Sequence, residues 1–410
     1  MPSSSELRRG TTQSNPRHDP TIASPLEIVR IEAFAVRFPY DVLDRPDVEP
    51  GPSPYKVGEG RLTIYPTQVE TLLVRLEAAD GTVGWGEALV PVGVGAVKTL
   101  VDELLAPAVL GRDATELAAL QARLVATMRE RGHVYGHQAD AVTAVDIAVH
   151  DLVGRHHGLP IAALLGGAVR WELPTYCTGL SGAADNAERA SDLWDEGWQR
   201  FKIHSVQGWR ADVAAVERVR SALPEAEVAL DVHGTYRVPE AVRAGRVLDT
   251  LDAWFLESAL APEDVHGHAA IAAAITTPVA AGEAMRHRSE VMTVIREKAL
   301  DVLQPDIGRT GVSEGRAITM LADVAGMPVL PHHSAALGIA LVAGLHVAAA
   351  APTLEAFEFP VRAVELSSVV LTEPLSWKPG IMECPRGPGL GVEVNEEAVR
   401  RWAGQRSSAA

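Results

Sequence analysis

Two hydrophobic rhythms divide the chain. In "IVRIEAFAVRF" and "ETLLVRLEAADGTVGWGEALV" apolar and polar residues alternate, which is typical of half-buried strands, and Asp80-Gly81 is a hairpin signal. From about residue 97 to 156 the apolar residues recur with helical spacing, as in "ADAVTAVDIAVHDLVG". Strands followed by helices predict an α+β domain over residues 26–155. Residues 1–25 lack an apolar segment, so we expect a disordered tail there rather than a signal peptide.

From about residue 172, short apolar segments alternate with amphipathic helical ones. Eight segments are predicted strands: "LPTYCTG", "RFKIH", "VALDVHG", "WFLES", "PVAAGE", "DVLQPD", "PVLPHH" and "LEAFEF". Strands separated by helices indicate parallel βα units, and eight such strands close naturally into a barrel, expected over residues 156–358. Residues 359–403 are rich in proline and glycine, and we expect them to pack back on the first domain.

Most of these strands carry a polar residue at or near one end. One such residue per strand recurs every 23 to 29 residues, about the length of one βα unit: Lys202, Asp231, Glu257, Glu283, Asp306, His332 and Glu355. His204 and His233 follow the first two of these by two residues and complete the set. Because parallel barrel strands share one C-terminal face, and that face carries the chemistry, the set predicts an active site there. Residues i and i+2 of a strand point to the same side, so Asp231 and His233 are expected to emerge together from "ALDVHG".

Three of these residues, Asp231, Glu257 and Glu283, are carboxylates on adjacent predicted strands. Without a cation they repel one another and raise each other's pKa. A divalent cation with oxygen ligands removes the repulsion, which favours Mg²⁺. Zinc prefers histidine or cysteine ligands and is the second choice.

Nitrogen bases flank this predicted metal site on both sides. Lys202 and His204 precede the carboxylates in barrel order, and Asp306 and His332 follow them. An aspartate one strand from a histidine orients the imidazole and makes it more basic. A cation between two acid/base groups suits removal of a proton next to a substrate carboxylate, because the cation holds the enediolate that forms.

The composition limits which partners and which cellular compartment are expected for the protein. The net charge of −16 argues against a nucleic acid or an anionic membrane surface as partner, since both require a basic face. Two cysteines in 410 residues form no disulfide framework, so we expect a cytoplasmic protein. The apolar run at 335–351 is rich in alanine and predicts a buried helix rather than a membrane span.

Taken together, the motifs resemble the enolase superfamily in its mandelate racemase subgroup, and within it the galactonate-type sugar-acid dehydratases. The resemblance covers residues 26–403. It rests on "GWGEA", "AVDIAVHDLVGRHHGLPIAALLGG", "LDVHG", "LQPDIG" and "PHHSAALGIALVAGLH". It implies a modified TIM (β/α)7β barrel with an α+β N-terminal capping domain, and Mg²⁺ as cofactor.

The resemblance also implies a role for each site residue. Metal ligands are Asp231, Glu257 and Glu283; the general-base dyad is His332 with Asp306; the general acid is His233; Lys202 lies beside the enolate; and Glu355 hydrogen-bonds the substrate carboxylate. Two positions depart from the pattern. His204 stands where racemases of the subgroup have a second lysine, and Ser258 replaces an acidic residue after the second metal ligand.

The expected function is Mg²⁺-dependent dehydration of an aldonate or aldarate to a 2-keto-3-deoxy acid. Two alternatives remain open: a racemase, epimerase or cycloisomerase on the same scaffold, and a non-catalytic protein that binds acid sugars. The expected partner is a small carboxylate substrate, and we expect a homo-oligomer.

Other residues are weaker candidates for contact with the substrate. The turn-rich segment 40–65 fits a lid, with Tyr55, Lys56 and Arg61 as specificity contacts. Arg286 and Arg288 follow the third metal ligand and either meet the substrate or face solvent. Of the adjacent pair His332 and His333, the resemblance favours His332 as the base.

Overall fold

The computed structural model describes residues 26–44, 54–58, 63–334 and 336–404. The predicted tail, residues 1–25, lies outside them. The N-terminal strands are β1 (Ile28–Phe38), β2 (Tyr55–Val57), β3 (Ile64–Pro66), β4 (Val69–Ala78) and β5 (Val83–Ala88). The helices after them are α1 (Val94–Leu100), which continues through a π-helical turn at Val101–Leu105 into α2 (Ala106–Val109), α3 (Leu117–Ala126), a 3₁₀ turn at Arg129–Arg131, α4 (His137–His157) and α5 (Ile161–Leu164).

The capping domain is an antiparallel sheet with helix α4 on one face. The strand order is β1-β4-β5, and β2 pairs with β3 in a separate hairpin. Two glycines of "GWGEA" let the helix touch the sheet: a Cβ at Gly86 would lie 1.9 Å from the Ala144 carbonyl oxygen, and one at Gly84 would lie 2.4 Å from that of Ala148. Only glycine fits such a close approach of two backbones.

The second domain is the α/β barrel that the sequence predicts. Its strands are β6 (Glu172–Ser181), β7 (Arg200–His204), β8 (Glu227–Asp231), β9 (Leu256–Glu257), β10 (Val279–Ala281), β11 (Val302–Leu303) and β12 (Phe357–Pro360). Parallel pairing runs from β6 to β11, and β12 pairs with β6. Between β11 and β12, single bridges join Leu303 to Val329, Asp306 to His332, and Val329 to Leu354. The segment around 329–332 therefore takes the seventh strand's place.

Helices alternate with these strands. They are α6 (Asn186–Glu196), α7 (Trp209–Ala222), α8 (Val238–Thr250), α9 (Val265–Ala272), α10 (Arg288–Glu297), α11 (Ile307–Ala325), α12 (Ile339–Ala349) and α13 (Val361–Ser367). Every residue of α12 is buried, as expected for the apolar run at 335–351. Within the described part of the chain, no helix is both long enough and apolar enough to cross a bilayer.

The C-terminal segment contacts both domains. Its elements are β13 (Trp377–Lys378), β14 (Ile381–Glu383) and α14 (Glu396–Ala403). Strand β14 pairs with β6 of the barrel. On the other side, the ring of Trp402 lies 5.4 Å from that of Phe38, and Arg400 pairs with Glu32 at 3.1 Å.

One buried carboxylate joins the capping domain, the helix α4 and the C-terminal segment. Asp151 accepts backbone hydrogen bonds from Trp85 and Leu390, each at 2.8 Å, and pairs with Arg155 at 3.1 Å. Burial raises the pKa of Asp151 to about 6, against the lowering effect of Arg155. These contacts fix the capping sheet against the C-terminal segment.

A buried histidine makes the fold sensitive to acid. On α12, His346 Nδ1 accepts from the Ala162 N–H at 3.3 Å, and Nε2–H donates to the Leu390 carbonyl at 3.0 Å. Burial lowers the pKa of His346 from 6.5 to about 4, so the folded protein holds the ring neutral. Its stabilising contribution is present above pH 6.5 and is lost as the pH falls towards 4.

Replacing His346 by leucine should therefore flatten the acid limb of the stability curve. In wild type, this residue alone should remove about 2 kcal/mol of unfolding free energy between pH 7.5 and pH 5. Urea titrations of both proteins at the two pH values measure the difference. An equal loss of stability in the leucine variant would contradict the assignment.

Candidate active site

A cavity of about 600 Å³ opens at the C-terminal ends of the barrel strands. That volume suits a small-molecule substrate. Tyr40 of the capping domain and Arg362 of α13 contribute to its walls. Six of the residues predicted from the sequence line it: Lys202, His204, Asp231, His233, Glu283 and His332.

The three predicted metal ligands come from successive strands. Asp231 ends β8 and stands in register with Glu257, which ends β9, while Glu283 follows β10 by two residues. Burial, and then repulsion from Glu257, raise the pKa of Asp231 well above its usual value. Three carboxylates at neighbouring strand ends in a largely buried place are a donor set whose chemistry suits a hard divalent cation.

A buried lysine holds the middle carboxylate in place. Lys202 Nζ lies 3.0 Å from Glu257 Oε1 and 2.7 Å from Glu358 Oε1. Gln304 Nε2 donates to the other oxygen, Glu257 Oε2, at 2.7 Å. Burial alone lowers the pKa of Lys202, but Glu257 and Glu358 raise it well above its usual value, so the amine stays charged.

Gln304 helps to orient Glu257, although Ser258 replaces the acidic residue expected after this predicted metal ligand. Ser258 supplies no carboxylate, and its backbone adopts a positive φ of 45°. The side chains that orient Glu257 are instead Lys202 and Gln304. The motif "LQPD" contains the signal, since Gln304 precedes Asp306 by two residues and so shares its side of an extended strand.

The two residues of the predicted base dyad are in direct contact. His332 Nδ1 lies 2.7 Å from Asp306 Oδ2, and Asp306 Oδ1 accepts from the Gly308 N–H at the start of α11. The other ring nitrogen, His332 Nε2, lies 2.9 Å from Glu283 Oε2. Burial lowers the pKa of His332, but Glu283 and Glu358 outweigh it and the pKa lies well above its usual value. The structure thus directs His332 Nε2 at Glu283, one of the three predicted metal ligands.

The loop that follows the dyad is anchored by the capping domain. Glu87 on β5 accepts from the backbone N–H groups of Leu337 and Ala340 at 2.5 and 2.9 Å. Its Oε1 also accepts from the Thr71 hydroxyl at 2.9 Å. The glutamate of "GWGEA" therefore positions the start of α12, a few residues beyond His332.

His233 reaches the site by a different route from the one expected. Strand β8 ends at Asp231, and His233 lies in the turn beyond it with a φ of 48°. Its backbone N–H donates to Asp231 Oδ1 at 2.9 Å, which folds the turn back on the aspartate. The alternation argument from the sequence was therefore wrong in its reason, although the two side chains do converge.

Two imidazoles meet at this end of the site. The rings of His204 and His233 are 5.6 Å apart at 77°. Their ligand atoms and one from Asp231 all lie within 4.8 Å of one another. His233 Nδ1 is also 3.7 Å from Glu283 Oε1.

Glu355 does not lie with the others. Its Oε1 accepts from Trp254 Nε1 at 2.9 Å, and its backbone N–H donates to Val329, so it sits where the strands begin rather than where they end. The strand β12 starts only at Phe357, and its inward carboxylate is Glu358. The sequence prediction of Glu355 is corrected to Glu358, which follows His332 by 26 residues and fits the spacing equally well.

The two glutamates form a matched pair for mutagenesis. Glu358→Gln should reduce turnover about 10- to 100-fold, because it loosens the lysine that orients a metal ligand. Glu355→Gln should leave turnover unchanged and cost about 1 kcal/mol of stability through the weakened bond to Trp254. Steady-state kinetics and urea unfolding of both variants test this, and the reverse ranking in turnover would overturn the correction.

The weaker candidates lie elsewhere or are committed to other contacts. Arg286 pairs with Asp140 at 3.0 Å, and Arg288 forms a fork with Glu314 at 2.6 Å. Tyr55 donates to Glu70 at 2.7 Å, while Lys56 is exposed on the hairpin. Arg61 and part of the predicted lid, residues 45–53 and 59–62, lie outside the described residues.

Two family models match successive parts of the chain. Residues 61–166 match the mandelate racemase / muconate lactonizing enzyme N-terminal domain, and residues 185–398 match the enolase C-terminal domain-like family. Among relatives, a D-galactarolactone cycloisomerase of Agrobacterium fabrum is 32% identical over 81% of this chain and 90% of its own. A D-galactonate dehydratase of Verminephrobacter eiseniae is 31% identical over 83% and 92%.

Solved structures have the same fold over nearly the whole chain. A putative isomerase from Sinorhizobium meliloti in an open-loop conformation superposes with a TM-score of 0.85 and 34% identity, covering 91% of this chain and 98% of that one. A racemase from Streptomyces coelicolor A3(2), solved with bound magnesium, gives a TM-score of 0.78 and 25% identity over 92% and 99%.

Proposed function

We propose, from the premise that this chain belongs to the enolase superfamily and to its mandelate racemase subgroup, that it is a Mg²⁺-dependent dehydratase of acid sugars. The substrate class is an aldonate or aldarate, and the product is a 2-keto-3-deoxy acid. The observation that carries the proposal is the pair of separate proton carriers, the His332–Asp306 dyad and the exposed imidazole of His233. β-Elimination needs both a base and an acid.

Asp231, Glu257 and Glu283 are the proposed ligands of Mg²⁺. When bound, the cation acts as a Lewis acid that holds the substrate carboxylate and stabilises the charge of the enediolate. The proposal is supported by the oxygen donor set and by the raised pKa of Asp231, which burial and Glu257 cause and which the charge of Lys202 only partly offsets. Members of the superfamily bind Mg²⁺, and the Streptomyces racemase was solved with it.

The protein's own residues then divide the proton transfers. His332 Nε2 removes the proton α to the carboxylate, and Asp306 holds the imidazolium that results. Lys202, kept charged by two carboxylates, lies beside the developing enediolate oxygen. His233 gives its proton to the departing β-hydroxyl, which leaves as water, and the enol then converts to the keto acid.

A cycloisomerase, racemase or epimerase is the second candidate. The similarity to a D-galactarolactone cycloisomerase favours it, and so does His204, which offers a second base near the metal ligands. These reactions also begin with α-proton removal, so they differ from dehydration only after the enediolate forms.

A substrate screen separates these functions. Mono- and diacid sugars are incubated with the protein and Mg²⁺ in D₂O, and both keto-acid formation and α-deuterium incorporation are measured. We expect a keto acid from at least one aldonate or aldarate. Deuterium incorporation or a rearranged isomer without loss of water would replace the dehydratase by the second candidate.

His233→Asn should separate elimination from enolisation. Dehydration should fall about 10²- to 10⁴-fold, the usual contribution of a positioned acid, while α-deuterium exchange stays measurable because it needs only the base and the metal. NMR of the substrate in D₂O follows both processes in one sample. Equal loss of dehydration and exchange would contradict the assignment of His233 as the acid alone.

A further inference from the structure

We propose that the mouth of the barrel holds a second donor set, the imidazoles of His204 and His233 with the carboxylate of Asp231, which binds a transition-metal ion such as Zn²⁺, Co²⁺ or Ni²⁺ in competition with Mg²⁺. We call these three residues the imidazole set. One ligand atom from each lies within 4.8 Å of the others, which leaves room for one ion among them. The proposed dehydration uses Asp231 and His233, but it requires no ion bound between the two imidazoles.

The fold brings the imidazole set together from two neighbouring strand ends. His204 ends β7 and stands in register with Asp231 at the end of β8. The left-handed turn at His233 returns its ring to the same place, fixed by its backbone bond to Asp231. His204 is exposed and the side chain of His233 is 47% exposed, so an ion can reach both rings from the cavity.

The other carboxylates of the site are more heavily committed. Both oxygens of Glu257 are bound, one by Lys202 and one by Gln304. One oxygen of Glu283 contacts His332 at 2.9 Å. Asp231 Oδ1 accepts from the backbone N–H of His233, and the described residues show no direct hydrogen bond or ion pair from Asp231 to another side chain. It is therefore the carboxylate most available to an ion arriving at the histidines.

Ligand chemistry decides which ion takes which set. Two imidazole nitrogens and one carboxylate oxygen suit Zn²⁺, Co²⁺ and Ni²⁺, whereas three carboxylates suit Mg²⁺. Glu283 Oε1, 3.7 Å from His233 Nδ1, is near enough to join as a fourth ligand after a small movement. Because Asp231 belongs to both sets, the two kinds of ion compete.

A consequence for catalysis rests on the proposed function. An ion bound through His233 occupies the lone pair that the imidazole needs to carry a proton to the leaving group. Zn²⁺ should therefore inhibit dehydration, and added Mg²⁺ or a zinc chelator should restore it.

Three variants test the site by metal binding rather than by activity. The full chain is freed of metal and titrated with Co²⁺, whose visible absorption reports its coordination, and with Zn²⁺ and Mg²⁺ by calorimetry. His204→Asn should lower the affinity for Co²⁺ and Zn²⁺ at least about tenfold, because even the loss of a residue that only hydrogen-bonds to a metal ligand has an effect of that size. The same variant should change the affinity for Mg²⁺ by less than about twofold. Glu257→Gln should do the reverse. His233→Asn repeats the first test with a second ligand.

The outcomes separate this proposal from the proposed function. Co²⁺ and Zn²⁺ affinities that survive in both histidine variants, with unchanged circular dichroism, would overturn the imidazole set. Loss of Co²⁺ and Zn²⁺ binding only in Glu257→Gln would do the same, because the ions would then use the three carboxylates. Failure of wild type to bind Mg²⁺ while it still binds Co²⁺ through the histidines would instead sink the Mg²⁺-dependent dehydratase and support the imidazole set.

Discussion

Replacement of His332 by asparagine is expected to abolish both dehydration and α-proton exchange. His332 is the proposed base: its Nδ1 lies 2.7 Å from Asp306, and its Nε2 lies 2.9 Å from Glu283, a proposed metal ligand. Loss of a positioned general base lowers the rate about 10²- to 10⁴-fold. Asparagine keeps a polar group beside Asp306 but cannot accept the proton. Exchange is measured by the decay of the α-proton signal in D₂O.

His204, the other candidate base, provides the control. His204→Asn should leave exchange measurable, because His204 lies beside Asp231 and is not part of the proposed dyad. If His332→Asn retained exchange while His204→Asn lost it, the base would lie on the other side of the substrate. The racemase-like assignment would then replace the one proposed.

Replacement of Lys202 by methionine is expected to be the most destabilising single change in the site. The lysine is the cation shared by Glu257 and Glu358, and all three side chains are at most 3% exposed. Removing one partner of a buried ion pair costs about 3–5 kcal/mol, because the remaining charge is left buried without its counterion. Urea unfolding in the presence of a chelator measures this cost without help from a bound cation.

Two further variants make the result specific. Arg200, on the same strand as Lys202, forms a partly exposed ion pair with Glu227 on β8; Arg200→Met removes this pair and should cost no more than about 1 kcal/mol. Adding Glu358→Gln to Lys202→Met should restore part of the lost stability, since one of the uncompensated charges disappears. A Lys202→Met protein as stable as Arg200→Met would show that the buried network is not charged as described.

Much of this architecture could be predicted because the chemistry recurs with the βα period. Hydrophobic strands alternating with amphipathic helices identified the barrel, and the spacing of polar residues identified the face on which they meet. Asp231 and Glu257 are adjacent in register, and Asp306 bridges to His332, as that spacing implies. Spacing succeeds here because each parallel strand must return to the same end of the barrel.

The spacing of residues alone did not identify the site residue where the exact start of a strand, or a turn, decides which side chain enters the site. Steps of 23 and 26 residues from His332 both lead to a glutamate, and only the start of β12 at Phe357 selects Glu358 over Glu355. His233 enters the site through a positive φ beyond the strand, a backbone state that alternation cannot express. Gln304 was not predicted because the pattern at the strand ends was one of ionisable residues, and a neutral amide does not belong to it.

The most direct test of the whole account is the Mg²⁺ dependence of α-proton exchange. Once the screen has identified an acid sugar, its α-proton signal is followed by NMR in D₂O with metal-free protein, and Mg²⁺ is then added. The account predicts no exchange before the addition and saturable exchange with keto-acid formation after it, both lost in Glu257→Gln. Full exchange in the metal-free wild type, or exchange unaffected by Glu257→Gln, would contradict it.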